Sequence, residues 1–284
     1  VMRVLKKVWI AGSDGRIGKK LLAQMDKLSY EIFDTDVNEL DLTDIEEVLD
    51  FCDRNRPDII INCAGFSNIE KCENNVERAF FVNAVGERNL SIVARKVGAR
   101  HVLISSDMVY PANMNAVVNE YDTTDPQNVY GKTKLAAENY ARDLATKFYI
   151  VRTGWVYGRK NDFLANLLDL AKKQDKIRVS KDDFTAPTSP EEVAKFIIQL
   201  IEMPAYGIYN CSCEGVCSAA EFAAEAVKAA GLTTEIIPVD DSESELKNYY
   251  GSNVKMDNFV MRMSDMGALP TWQEALDAYI SHRK

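Results

Sequence analysis

Basic residues are in short supply in this 284-residue chain: 34 Lys plus Arg stand against 43 Asp plus Glu, a formal net charge of −9. That deficit argues against a bulk nucleic-acid binder, which needs a basic face to displace counterions. Long apolar runs are missing too, and none approaches the roughly 18 residues of a membrane span. The basic stretch Val1–Lys7 is followed by Val8–Gly12, too short for a signal-peptide core. The expectation is a cytoplasmic protein with neither nucleic acid nor membrane as partner. Histidine is nearly absent, His101 and His282 being the only two. The cysteines at 52, 63, 72, 211, 213 and 217 lack the C-x2-C pairs that zinc favours. The C-x-C-x3-C run at 211–217 reads as a strand-to-helix connection with free thiols, so no metal site is expected. What is present is a globular composition, 46% hydrophobic and 27% charged. The length suits one large α/β domain or a domain with a smaller lobe.

Short apolar runs recur at Val8–Ala11, Glu31–Phe33, Asp58–Asn62, His101–Ser105 and Tyr149–Arg152, each read as a strand. Helical patterns separate them. Leu90, Val93, Ala94 and Val97 share one helix face, and Thr43 with Glu46 has the spacing of a capping box. Alternating strands and helices predict a doubly wound parallel sheet of the Rossmann type. Beyond residue 155 the rhythm loosens. Ser189-Pro190-Glu191-Glu192 is a helix start, Ser218 with Glu221 a second capping box, and Gly231 a helix stop. Asp240–Tyr250 reads as a loop. The predicted division is a cofactor domain at 1–155 and a mostly substrate-binding α/β lobe at 156–284, some of whose segments return to the main sheet.

Gly12-Ser13-Asp14-Gly15-Arg16-Ile17-Gly18 follows the first strand and opens a helix, with the spacing G-x-x-G-x-x-G. Glycines there let the backbone turn tightly and approach a pyrophosphate, and the helix N-terminus supplies N–H groups and dipole. The motif predicts a dinucleotide site. Asp36, about 20 residues on, is placed for a ribose 2′-hydroxyl. It would repel a 2′-phosphate, whereas Arg16 and Lys19 would attract one, so the cofactor is NADH or NADPH with Asp36 tilting towards NADH. Asp41 and Leu42 would flank the adenine.

Tyr130-Gly131-Lys132-Thr133-Lys134 contains Y-x-x-x-K, which puts phenol and ammonium on one helix face. A phenol with a reference pKa of about 10 becomes a usable acid-base group when a cation stabilises its anion. Ser105-Ser106-Asp107 ends the fourth predicted strand, the end of a parallel sheet where ligands bind. A hydroxyl there can hold a substrate carbonyl for hydride attack.

Together with the glycine loop these residues resemble the extended short-chain dehydrogenase/reductases, and more closely the dTDP-4-dehydrorhamnose reductase family. Further matching pieces are Pro57–Ala64, Ile104–Asp107, Tyr130–Leu135, Val151–Gly158 and Ala186–Ser189. The resemblance implies an NAD(P)H-dependent reductase of a nucleotide-linked 4-keto-6-deoxy sugar, with catalytic Ser106, Tyr130 as proton donor and Lys134 as its partner. It implies that Cys63, Ala64, Gly65, Asn83 and Ser105 join the glycine loop around the cofactor. Ser67, Ser106, Met108, Tyr130 and Trp155 would meet the substrate, Trp155 through its ring face. Members of the family leave a homodimer open.

The chain departs from the family at three places. Met108 stands where an aromatic residue is usual. Phe66-Ser67-Asn68-Ile69-Glu70 alters the segment after the third strand. Tyr250-Gly251 replaces an Arg-Pro pair whose arginine helps hold a diphosphate, leaving Lys255 as a point charge. Two alternatives follow: the same chemistry on another carbonyl compound, or a non-catalytic NAD(P)-binding subunit that regulates a partner enzyme.

Overall fold

The first strand, Lys6-Lys7-Val8-Trp9-Ile10-Ala11, begins at the surface and ends fully buried. Strand alternation divides its apolar side chains between two faces. Trp9 and Ala11 pack with Val48 and Cys52 of one helix and Leu90, Val93 and Ala94 of another. Val8 and Ile10 face the opposite side and are equally buried. A strand apolar on both sides needs helices on both sides, which is the doubly wound arrangement.

The computed structural model describes residues 5–246 and 251–282. In chain order the first elements are β1 (Lys6–Ala11), α1 (Arg16–Gln24), β2 (Tyr30–Thr35), α2 (Ile45–Asn55), β3 (Ile59–Asn62), α3 (Ile69–Asn74), α4 (Val76–Phe80), a π-helical turn (Phe81–Val85), α5 (Gly86–Val97), β4 (Arg100–Ser106) and β5 (Asn113–Val118). There follow α6 (Val129–Leu144), β6 (Phe148–Thr153), β7 (Trp155–Val156), α7 (Phe163–Ala171), β8 (Lys176–Ser180), β9 (Phe184–Thr185), β10 (Pro187–Thr188), α8 (Pro190–Leu200) and β11 (Gly207–Cys211). The last are β12 (Cys217–Ser218), α9 (Ala219–Ala229), β13 (Glu235–Val239), β14 (Val254–Met256), α10 (Phe259–Met263) and α11 (Trp272–Ser281).

By compactness the chain forms two units. The first runs through Pro111 and adds Thr123–Arg152 and Ala194–Tyr209. The second takes Ala112–Asp122, Thr153–Val193 and the described chain from Asn210. One change of unit falls at Arg152–Thr153. The sequence pattern did not assign 112–122 to the second unit, because a short exposed strand carries almost no periodicity.

The main sheet has strand order β11-β6-β4-β3-β1-β2. β1 pairs in parallel with β2 on one side and β3 on the other, with Ala11 opposite both Thr35 and Asn62. The order in which strands are added therefore switches sides between β1 and β3, and the crevice beyond their C-terminal ends is the expected ligand position.

The second unit has its own core. Tyr157, Phe163, Phe222 and Trp272 meet there among aliphatic residues of α7, α9 and α11. Parallel pairing of β13 with β8 and of β14 with β5 frames it. Ser218 and Glu221 form the predicted capping box of α9, and Thr271 with Glu274 forms another on α11. Ser189 accepts a hydrogen bond from the Glu191 N–H at the start of α8, 3.2 Å.

The Thr43–Glu46 capping box does not form. Asp44 is the N-cap of α2 and accepts from the N–H groups of Glu46 and Glu47, while the Thr43 hydroxyl donates to Asp41. A carboxylate is the better partner for the positive end of the helix. Of the predicted loop at Asp240–Tyr250, Asp241–Glu243 is a 3-10 turn; Tyr250 lies outside the described residues. Gly251 is packed so closely that a Cβ would stand 2.7 Å from the Phe184 nitrogen.

Candidate active site

The glycine loop is built by close approach. Gly12 has φ +77, and a Cβ on it would meet Ala64 Cα at 2.5 Å and Cys63 C at 2.8 Å. A Cβ on Gly18 would meet the Gly12 carbonyl at 2.6 Å. The Gly12 and Ser13 N–H groups donate to Thr35 O at 2.8 and 3.1 Å, tying the loop to β2. Gly15, the N-cap of α1, brings no capping side chain, and the first turn holds no acid. The positive end of α1 is thus left for an anion, so the loop fits the pyrophosphate of a dinucleotide.

At the other side of the loop Asp36 directly follows β2. It accepts from the Asp14 N–H at 3.1 Å and from its neighbour Val37 at 2.8 Å. Lys19 pairs with Asp14 at 3.6 Å at the surface. Asp41 accepts from the Thr43 N–H and hydroxyl, and Leu42 packs against the α2–α5 core. Ile17 and Gly18 are buried.

The catalytic candidates meet at the ends of β4 and α6. Ser106 ends β4, accepts from the Met108 N–H at 3.2 Å and donates to Asp107 at 2.9 Å. Asn128 caps α6 by accepting from the Gly131 N–H at 2.7 Å, and its amide donates to Met108 Sδ at 3.4 Å. Gly131 lets the first turn of α6 rest on the Met108 carbonyl, into which a Cβ would drive. That seating presents Tyr130 to Ser106, whose hydroxyl favours the phenolate form.

Burial pushes the Tyr130 phenol up to about 12; Arg16 pulls it down most, Asp107 and Cys72 push it up, and the Ser106 hydroxyl pulls it down. The strongest cation acting on the phenol is therefore Arg16, where the helical spacing had pointed to Lys134. Lys134 is itself buried, and burial lowers its pKa, with Glu87 opposing most, then Glu138 and the Cys63 sulfur.

The segment after β3 is held by Asn83 of the π-helical turn. Its carbonyl oxygen accepts from the Phe66 N–H at 2.6 Å, and its amide nitrogen donates to Phe66 O at 3.0 Å and Thr133 Oγ1 at 2.9 Å. Such a turn inside a helix often marks a functional position. Asn83 thereby ties Cys63–Ser67 to α6. Burial raises the Cys63 thiol to about 12, with Lys134 opposing, so it is held as a neutral thiol. Gly65 lies exposed beside Asn83, and Ser67 is half-buried just ahead of Asn68, the N-cap of α3.

Behind the site, Ser105 donates to Glu138 at 2.6 Å. Glu138 also receives two hydrogen bonds from Arg152, at 2.9 and 2.6 Å, and Arg152 reaches the Tyr110 hydroxyl at 2.8 Å. The first unit thus gathers the glycine loop, Asp36, Cys63–Gly65, Asn83, Ser106, Met108, Tyr130 and Lys134. Trp155 belongs to the second unit, half-buried and edge-on to Phe163 and Phe222. Asn62, Glu87, Asn128 and the Glu138–Arg152 pair were not anticipated. Asn128 carried a signal, an Asn directly ahead of a helical pattern.

A parallel sheet with a phosphate-fitting glycine loop and a Ser-Tyr-Lys set at its C-terminal edge defines a nicotinamide-dependent oxidoreductase of the extended short-chain type. Comparison with known proteins agrees. The family model described as "RmlD substrate binding domain" matches residues 6–284. The chain is 30% identical to the spore coat polysaccharide biosynthesis protein SpsK of Bacillus subtilis, over 98% of each chain. It is 30% identical to dTDP-4-dehydrorhamnose reductase of Escherichia coli, over 94% of each. A crystal structure of dTDP-4-dehydrorhamnose reductase from Bacillus anthracis in complex with NADP superposes with TM-score 0.92 at 29% identity, covering 98% of this chain and 100% of that one. The chain belongs to the dTDP-4-dehydrorhamnose reductase family.

Proposed function

We propose that this chain reduces the 4-keto group of a nucleotide-linked 4-keto-6-deoxy sugar, with dTDP-4-dehydrorhamnose as the substrate to test first. The observation that carries the reading is the placing of Tyr130 beside Ser106 at the C-terminal end of the sheet, with Lys134 one turn along the same helix. The names of the relatives support a sugar nucleotide, and the NADP bound to the Bacillus anthracis enzyme supports a nicotinamide cofactor.

When bound, the nicotinamide supplies a hydride to the carbonyl carbon. The residues manage the oxygen. Ser106 orients it by hydrogen bonding, and Tyr130, neutral at working pH, gives it a proton. Arg16 lowers the cost of the phenolate left behind. Lys134 is the group for the nicotinamide ribose, and the end of α1 for the pyrophosphate. Asp36 speaks for NADH and the relative's NADP for NADPH, so both belong in the assay.

Tyr130→Phe removes the proton donor and keeps the ring. Reduction of dTDP-4-dehydrorhamnose, followed by loss of cofactor absorbance, should fall by at least about a hundredfold. Dinucleotide affinity should stay within about twofold. Equal loss of both would make the tyrosine structural and sink the reading.

A further inference from the structure

We propose that the Glu138–Arg152 ion pair is a positioning device for the reaction: it brackets the segment that carries Ser106 and fixes it in register with the helix that carries Tyr130. The proposal rests on the reductase reading above, and every residue it uses belongs to the first unit.

The apolar seating of α6 does not set that register by itself. Alternation along β4 puts Leu103 and Ser105 on one face. Leu103 packs there with Ala137 and Ala141 of α6 and with Ile150 of β6. Alanine methyl groups fix how closely the helix lies on the sheet, but apolar attraction is non-directional and tolerates sliding. Glu138, next to Ala137 on α6, is 1% exposed. It supplies the direction.

Glu138 Oε1 accepts from Ser105 Oγ at 2.6 Å and from Arg152 Nε at 2.9 Å, and Oε2 accepts from Arg152 Nη2 at 2.6 Å. The two arginine bonds form a planar fork, which fixes the orientation of both groups. Arg152 Nη1 donates to the Tyr110 hydroxyl at 2.8 Å, and the guanidinium carbon stands 4.8 Å from the Tyr110 ring centre. Ser105 directly precedes Ser106, and Tyr110 directly follows the 3-10 turn Asp107–Val109. The pair thus grips the segment of Ser106 at both ends. The middle of that segment, Met108, meets the start of α6 at Asn128 and Gly131. Helix and segment are therefore joined at two points nearly three turns apart along α6, which opposes both sliding and rolling. A second fully buried carboxylate, Glu87, ties α5 to Asn62 of β3 and to His101 of β4. The bonds of Glu138 differ in ending beside Ser106.

Stability alone is a poor reason for such a pair. Desolvation of two buried charges offsets their attraction, and an apolar pair of similar volume is often as stable. What an apolar pair lacks is directional bonding.

The test is the full-length Glu138→Leu/Arg152→Met protein, which removes both charges together. Its melting temperature should lie within a few degrees of the unsubstituted protein or above it. Its kcat with dTDP-4-dehydrorhamnose should fall about a hundredfold, the cost of displacing reacting groups by about 1 Å. KM for the sugar nucleotide and NADPH affinity should stay within about twofold. Unsubstituted kcat in the folded double variant, or equal losses of kcat and NADPH affinity, would overturn the proposal. Should the double variant fail to fold, Arg152→Lys decides. It keeps the charge beside Glu138 and loses the fork. Its kcat should fall about tenfold with NADPH affinity unchanged, and full turnover would show that charge alone is enough.

A further readout needs no ligand. With carbon-13 at the tyrosine Cζ positions, the Tyr130 resonance is identified by its loss in Tyr130→Phe. It should shift by more than its linewidth in the double variant and in Arg152→Lys. An unmoved resonance in folded protein would make the pair merely structural and overturn the proposal. Unsubstituted protein that binds NADPH but leaves dTDP-4-dehydrorhamnose untouched would defeat only the substrate reading, and the Tyr130 resonance would still judge the pair.

Discussion

Tyr130 illustrates how much a single position owes to its surroundings. Its motif is local, four residues along one helix, and was legible for that reason. Its electrostatics are not local: the phenol is pushed up to about 12 chiefly by burial, and the cation that offsets this most is Arg16, more than a hundred positions earlier. Asp36 is the other residue with a defined expectation. Its carboxylate is held at the end of β2 by the Asp14 and Val37 N–H groups. It would accept from a ribose 2′-hydroxyl and repel a 2′-phosphate. Asp36→Ala should lower the ratio of NADH to NADPH catalytic efficiency by about tenfold, the worth of about 1.4 kcal/mol of lost discrimination. An unchanged ratio in steady-state assays would dismiss the assignment.

Among the elements, α6 is the one whose placement decides the site. Asn128 starts it, Gly131 lets it close on Met108, and the first turn then presents Tyr130 to Ser106. Gly131→Ala would improve intrinsic helix propensity, yet its Cβ has nowhere to go. The expected result is a loss of about 1–3 kcal/mol in denaturant unfolding together with a marked fall in turnover, because the turn carrying Tyr130 must shift. A gain in stability would mean that the Met108 carbonyl yields easily. Helix starts were read well where one side chain dominates, as at Ser189 and Ser218. At Thr43 two adjacent polar residues competed, and the charged Asp44 took the cap. Neither Gly131 nor Asn83 could be interpreted from pattern alone, since the contacts that explain them come from segments remote in sequence.

For the whole molecule the negative charge is a functional condition, because the proposed cofactor and substrate are polyanions. The net charge of −9 repels them at long range, while Arg16, Lys134 and the end of α1 attract them only nearby. Raising ionic strength from about 0.01 to about 0.15 M shortens the Debye length from about 30 to about 8 Å. The association rate of NADPH in stopped-flow fluorescence should therefore rise with salt over that range. A falling rate would mean that the local cations govern approach as well as binding.

The amino-acid sequence by itself determined the alternation of strands and helices, the dinucleotide loop and the Ser-Tyr-Lys set. These are written in short-range spacing, which survives without knowledge of what packs against what. Strand order, the switch of sides between β1 and β3 that makes a crevice, and the assignment of 112–122 to the second unit were decided by long-range pairing. So was the buried stripe of Glu87, His101, Glu138 and Arg152. A charged residue inside an apolar helix stripe can be noticed in a sequence, but its role depends on which charges the folded chain brings beside it, and only the tertiary structure supplies those.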